Sequence, residues 1–218
     1  MRDRDIHRVI ARLKQEATTW RVPVVGEIAQ KTRDPFKVLI SCILSLRTQD
    51  ATTAAASARL FSLAGDPRAL LALAPGKIER AIYPVGFFRT KAKNIRAISR
   101  DLLQRFGGRV PATIDALLTL KGVGRKTANL VVTVGFKKPG ICVDTHVHRI
   151  SNRWGYVKTA TPEQTEQALR AKLPRRYWIC YNDLLVPFGQ NVCRPLSPHC
   201  SRCKISRDCA RVGVLRSR

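Results

Sequence analysis

An all-α fold is predicted by three features of the sequence. Apolar residues recur every three to four positions through most of the chain, helix-start devices are repeated, and the strict alternation of a half-buried strand is nearly absent. In order, Asp34-Pro35 opens "PFKVLISCILSL" with a carboxylate to cap the first amides and a proline preset for the first turn. Asp66-Pro67 repeats the device, and Thr161-Pro162-Glu163-Gln164 adds a capping box ahead of "TEQALRAKL". Helical spacing also runs through "TKAKNIRAISRDLLQRF", "ATIDALLTL" and "RKTANLVVTVGF", although the short "LVVTV" within the last could pass for a strand. Glycines and prolines near 84–87, 107–111, 121–124 and 139–140 mark the turns. Roughly ten short helices joined by short loops follow, with no internal repeat and no low-complexity segment.

Charge narrows the partner. Forty Lys and Arg against fifteen Asp and Glu leave +25 spread over 218 residues, which points to a polyanion and above all to nucleic acid; a merely basic, solvated surface is the alternative. No apolar run approaches the ~20 residues of a membrane span, and the N-terminus "MRDRDIHRVI" lacks the apolar core of a secretory signal. The expectation is an intracellular protein, in the cytoplasm or nucleoid, without a membrane partner and acting as a monomer.

Seven cysteines are an awkward set for disulfides, and four of them, Cys193, Cys200, Cys203 and Cys209, follow the spacing C-x6-C-x2-C-x5-C. The segment from Pro195 onward has too few large apolar residues to pack a core unaided. A closed four-thiolate site would hold it together. Zinc and an iron-sulfur cube both take four thiolates, and the single tight C-x2-C knuckle with unequal arms leans toward the cube. Such a loop would also present Arg194, Arg202, Lys204 and Arg207 as a basic surface for phosphates. Cys42, Cys142 and Cys180 lie in apolar surroundings and read as small core residues.

The stretch "LKGVGRKTA" at 120–128 nearly spells a phosphate-gripping loop, but Gly124 is followed by Arg125 where that motif needs lysine. It reads instead as helix, glycine turn, helix. Lys121, Gly122, Val123, Gly124 and Arg125 together suit a DNA phosphate, with the amides of the new helix turned outward. The plainer alternative is a helical hairpin whose glycines serve only the turn. Downstream, Asp144 in "VDTHVHRI" precedes another helix and could be nothing more than its cap. Yet a helix from Lys126 to Gly135 climbs ~14 Å at its fixed rise, and the chain from Gly135 to Asp144 can span up to ~30 Å. Lys126 and Asp144 can therefore line one cleft. An amine disposed to be neutral by nearby positive charge and partial burial, facing a carboxylate, could attack a sugar carbon while the carboxylate steadies the developing oxocarbenium charge.

Taken together, "LKGVGRKTA", "VDTHVHR" with its Lys126-to-Asp144 interval, the C-x6-C-x2-C-x5-C tail, and "LISCILSLRTQD", "IYPVGFFRTKAKNI" and "NDLLVPFGQNVC" resemble the endonuclease III family of helix-hairpin-helix DNA glycosylases over almost the whole chain. The resemblance implies a two-lobed α fold. Residues 28–138 would form a six-helix barrel lobe with the hairpin motif at about 113–135, and residues 1–27 with 139–218 an iron-sulfur lobe whose cluster loop is 193–209. It implies Lys126 as nucleophile, Asp144 as catalytic carboxylate, the four cysteines as ligands of a 4Fe-4S cluster, and His146 on the base pocket, where a satisfied helix histidine is the plainer alternative. Substrates would be oxidised or ring-saturated pyrimidines, of the thymine glycol type, flipped from double-stranded damaged DNA. Base removal would be followed by AP lyase cleavage, β-elimination through a Lys126 Schiff base.

Three positions depart from the family's pattern. Lys121 stands where proline is common, Arg47 where many members place a glutamine that fills the gap left by the flipped base, and Phe87 where others have an aliphatic wedge. Arg47 could equally be a plain surface arginine, and Phe87 or Phe88 could pack in the core. Rival readings are an adenine- or thymine-removing mismatch glycosylase of the same fold, against which Lys126 speaks, and a non-catalytic DNA-binding protein with a zinc knuckle.

Overall fold

A computed structural model describes residues 1–20 and 23–218, and among these every regular element is helical. The chain divides into two compact units, Met1–Pro23 with Pro139–Arg218, and Val24–Lys138.

The central unit runs α2 (Val24–Thr32), α3 (Pro35–Ser45), α4 (Asp50–Leu63), α5 (Pro67–Ala72), α6 (Pro75–Ile82), α7 (Phe88–Arg105), α8 (Ile114–Leu118) and α9 (Arg125–Leu130). Its centre is α3, apolar on every face: Val38 to Leu44 are all buried, and α2, α4, α7 and α9 pack around it. A helix hydrophobic all round can only be an interior one. The sequence-read caps form as expected. Asp34 accepts from the Phe36 amide at 2.8 Å and Asp66 from the Ala69 amide at 2.9 Å. "LVVTV" is not a strand, because α9 runs on as a π-helical turn over Val131–Gly135, with Thr133 Oγ1 donating to the Asn129 carbonyl at 2.9 Å. Val131 and Val132 are buried on a helical face, so the apolar run reflects burial and not strand alternation.

The second unit joins both chain ends: α1 (Ile6–Ala17), α10 (Thr145–Arg153), α11 (Pro162–Lys172) and α12 (Trp178–Asn191). Ile6, Val9, Ile10 and Leu13 give α1 one apolar stripe, which buries with Val147, Ile150, Trp154, Leu185 and Phe188. Thr161 caps α11 through the Gln164 amide at 3.2 Å, but the returning Gln164 side chain bonds the Ala160 amide at 2.8 Å, one residue earlier than a capping box prescribes. The C-terminal segment is tied to α1 by Asp208, which pairs with Arg8 and, at 3.1 Å, with Arg12. No helix of the described residues is long and apolar enough to cross a membrane.

Candidate functional site

The glycine turn between α8 and α9 is fixed by close packing. Gly122 has φ +79, a conformation that demands glycine, and a Cβ there would lie 2.5 Å from the side-chain amide nitrogen of Asn94, which would have to swing aside. Val123 is buried and anchors the turn, while Gly124 caps α9 and leaves Lys121, Gly122 and Lys126 exposed beside the half-exposed Arg125. Exposure of Lys126 departs from the partial burial expected of it. The charge of Lys126 reaches Cys42 of α3, opposing the burial that pushes that thiol up to about 12.

In the other unit, Asp144 is the cap of α10, its Oδ1 accepting from the His146 and Val147 amides at 2.9 and 2.8 Å. The structural role anticipated for it is therefore real, and it fixes the carboxylate at the head of the helix. His146 accepts through Nδ1 from Arg149 Nη2 at 3.1 Å, and the same guanidinium donates to the Cys193 carbonyl at 2.7 Å. Burial holds the Arg149 guanidinium below its ordinary range and the neighbouring Arg153 charge acts the same way, while the Asp144 carboxylate pulls it back up. Arg149 thus connects the Asp144 helix to the first cysteine of the tail. Sequence reading missed it, although three residues separate it from His146, the spacing that puts two side chains on one helix face.

Cys193, Cys200, Cys203 and Cys209 line one small pocket with Trp154 and Phe188. Burial pushes the Cys203 thiol up to about 12, and the other three cysteines act in the same direction, as thiols facing one space must. Two donors point at sulfur: Arg153 Nη1 to Cys193 at 3.6 Å and the Arg211 amide to Cys209 at 3.4 Å. Among the described residues, no three His, Cys, Asp or Glu side chains converge as ligands of a single ion. Cys42 and Cys142 are core residues, and Cys180 is half-buried. On the outer side of the loop an open bowl of about 910 Å³ is walled by Arg12, Arg202, Lys204 and Arg207, whereas Arg194 instead donates to the Gln190 carbonyl at 3.3 Å.

Arg47 and Phe87 meet in the central unit. The Arg47 guanidinium lies 5.7 Å from the Phe87 ring centroid, and Phe87 is 64 % exposed. Phe88, its neighbour, turns inward and meets Tyr83 edge-on at 5.4 Å. The core alternative therefore holds for Phe88 and fails for Phe87, and Arg47 lies at the surface beside Phe87.

Residues 40–175 match the model of the HhH-GPD superfamily base excision DNA repair proteins. The chain is 50% identical over 179 residues to endonuclease III of Thermotoga maritima, covering 82% of this chain and 84% of that one. Its fold is similar to an endonuclease III trapped as a covalent intermediate with DNA, with a TM-score of 0.86, 31% identity and 97% of each chain covered. It is also similar to a thermostable thymine-DNA glycosylase, with a TM-score of 0.81, 25% identity and 95% of each chain covered. On these grounds the chain belongs to the endonuclease III family, the bifunctional DNA glycosylase/AP lyases of base excision repair.

Proposed function

We propose that this enzyme removes oxidised or ring-saturated pyrimidines, thymine glycol among them, from double-stranded DNA inside the cell, and then cuts the strand. The observation that carries this reading is Lys126 itself, an exposed residue set by the left-handed Gly122 turn one residue inside α9. Lys126 Nζ adds to C1′ of the damaged nucleotide as the glycosidic bond breaks, and the base leaves with a proton. The C1′–O4′ bond of this adduct then opens, O4′ taking up a proton, and the resulting protonated imine acidifies the C2′ proton, whose removal expels the 3′ phosphate by β-elimination. Asp144, held by two amides, stabilises the positive charge that develops on the sugar. Lys121, Arg125 and the loop amides hold the backbone phosphate that delivers the sugar, and bound DNA supplies the exclusion of water that the exposed Lys126 lacks by itself. His146 lines the base pocket, Arg47 fills the space the damaged nucleotide vacates, and Phe87 wedges against the opposite strand. The covalent DNA complex of the structural neighbour supports a covalent route.

Cys193, Cys200, Cys203 and Cys209 are proposed to hold a 4Fe-4S cluster. Four thiols walling one largely apolar pocket, with N–H donors aimed at two of them, suit a cube with one thiolate per corner. When bound, the cluster cross-links a segment that has little core of its own and takes no part in bond cleavage.

Borohydride should trap the wild-type protein covalently on duplex DNA carrying thymine glycol, and Lys126→Ala should lower trapping by at least ~10³-fold, the scale of losing a nucleophile. Undiminished trapping by that variant would refute the assignment. Parallel excision of thymine glycol, dihydrouracil and hydroxylated cytosines, with the opposite base varied, ranks the substrates.

A further inference from the structure

Lys91 is a lysine where the fold would be expected to place an apolar residue. It lies on α7, only 5% exposed, and its ammonium donates to the Leu44 carbonyl at 2.8 Å, to the Leu46 carbonyl and to Thr48 Oγ1 at 3.1 Å. Three N–H groups meet three acceptors, so the charge is fully hydrogen-bonded and immobile. Those acceptors bracket Arg47, which sits in the short α3–α4 connection at φ +52, a left-handed conformation costly for arginine.

The second loop at this place carries Phe87, likewise left-handed at φ +58. It is tied to the first in two ways. The Gly86 amide donates to Thr48 Oγ1 at 3.3 Å, and the backbones approach so closely that a Cβ on Gly86 would lie 2.8 Å from the Arg47 carbonyl oxygen. Lys91 joins this loop as well, because its own amide takes the Phe87 carbonyl at 3.0 Å to open α7. One residue therefore holds the Arg47 connection through its side chain and the Phe87 turn through its backbone. Neither strained residue has a glycine's freedom to adopt its conformation unaided, so something must over-determine both.

We propose that Lys91 is a positioning residue for base excision: its buried ammonium clamps the Arg47 and Phe87 loops into a single preformed wedge that enters the duplex as the damaged nucleotide leaves. This rests on the proposed role of Arg47 and Phe87 toward DNA. Preforming the wedge avoids ordering two loops at the moment of base flipping, which is where the gain in rate arises. The ammonium is matched to the task because its acceptors are backbone carbonyls at the end of α3, groups that lack helical partners.

The test is a double-mutant cycle on excision from a thymine glycol duplex, combined with amide hydrogen exchange on the free protein. Lys91→Met should lower kcat/KM by about tenfold in the wild-type background, and by less than about twofold when Arg47 and Phe87 are both alanine. An equal loss in the two backgrounds would place the action of Lys91 elsewhere and overturn the proposal. Thr48→Val removes one of the three acceptors of the ammonium and the tie to Gly86 while leaving the lysine in place, and should show the same pattern at about a third of the size. In the exchange experiment, the amides of Thr48 and Gly86 should exchange about tenfold faster in Lys91→Met while those of α4 keep their protection. Unchanged exchange at Thr48 and Gly86 defeats the clamp. If the wild-type protein excised no pyrimidine lesion, the functional reading would fail while the exchange result still decided the clamp.

Discussion

Asp144 shows how one side chain can have a structural and a chemical role that a suitable substitution separates. Its Oδ1 takes two amides at the start of α10, and asparagine caps a helix about as well as aspartate does. Asp144→Asn should therefore melt near the wild type and bind damaged DNA, yet lose about 10² or more in excision, since only the charge is gone. Asp144→Ala loses the cap too, at about 1 kcal/mol of stability, readable as a lower melting temperature. Lys91 makes a second prediction. Burial lowers its ammonium from the ordinary 10.5 to about 8, so between those values the unfolded chain binds the proton that the folded chain has released. Stability contributed by this residue accordingly rises with pH across that window, the sign set by more protons on the unfolded state. Urea denaturation at pH 7.5 and pH 10 should show the wild type gaining on Lys91→Met at the higher pH. Both residues were visible in the sequence as letters. Asp144 could be singled out because caps have a local signature, whereas nothing in "FRTKAKNI" tells a buried lysine from a solvated one.

At the scale of elements, the segment following α12 depends on what holds its cysteines. It buries Ile205 in the core, packs its cysteines against that core and is otherwise held by polar ties, among them Asp208 to Arg8 and Arg12, Arg149 to the Cys193 carbonyl and Arg153 to the Arg194 and Pro195 carbonyls. Removal of the metal by oxidation and chelation, or Cys203→Ser, should release residues 193–218 to proteolysis while a fragment spanning α2 to α9 persists. A yellow-brown colour with broad visible absorption in the purified protein, lost on chelation, checks the iron assignment; a colourless zinc protein would contradict it. The spacing of the four cysteines was enough to group them, and they line one pocket, because side chains of one short loop are written close together in the sequence. The Arg149 link from His146 to the Cys193 carbonyl was not, because its partners come from α10 and from the end of α12. The caps of α3 and α5 were readable for the same local reason, and the π turn after α9 was not, since an apolar run reports burial before it reports the type of helix.

For the whole molecule, +25 makes association with DNA a salt-governed event. If about six phosphates are neutralised, affinity for duplex DNA should fall by about 10³-fold between 50 and 200 mM salt, with a linear log–log slope. Undamaged DNA should follow the same slope, since the charge term carries no lesion information. A slope near zero in a fluorescence anisotropy titration would contradict the assignment of Lys121, Arg125 and the loop cations to the backbone.

The sequence alone determined the helical class, the glycine hairpin, the four-cysteine spacing and the polyanionic partner. Each of these is written in neighbouring residues or in summed composition, where periodicity, capping chemistry and charge act locally or additively. Tertiary structure decided which of two adjacent phenylalanines turns outward, that Arg47 faces Phe87, that Lys91 is buried beneath both, and that Lys126 stands exposed. These depend on which distant segments share a core, and the free energy that settles them comes from burial and from backbone carbonyls supplied by another helix.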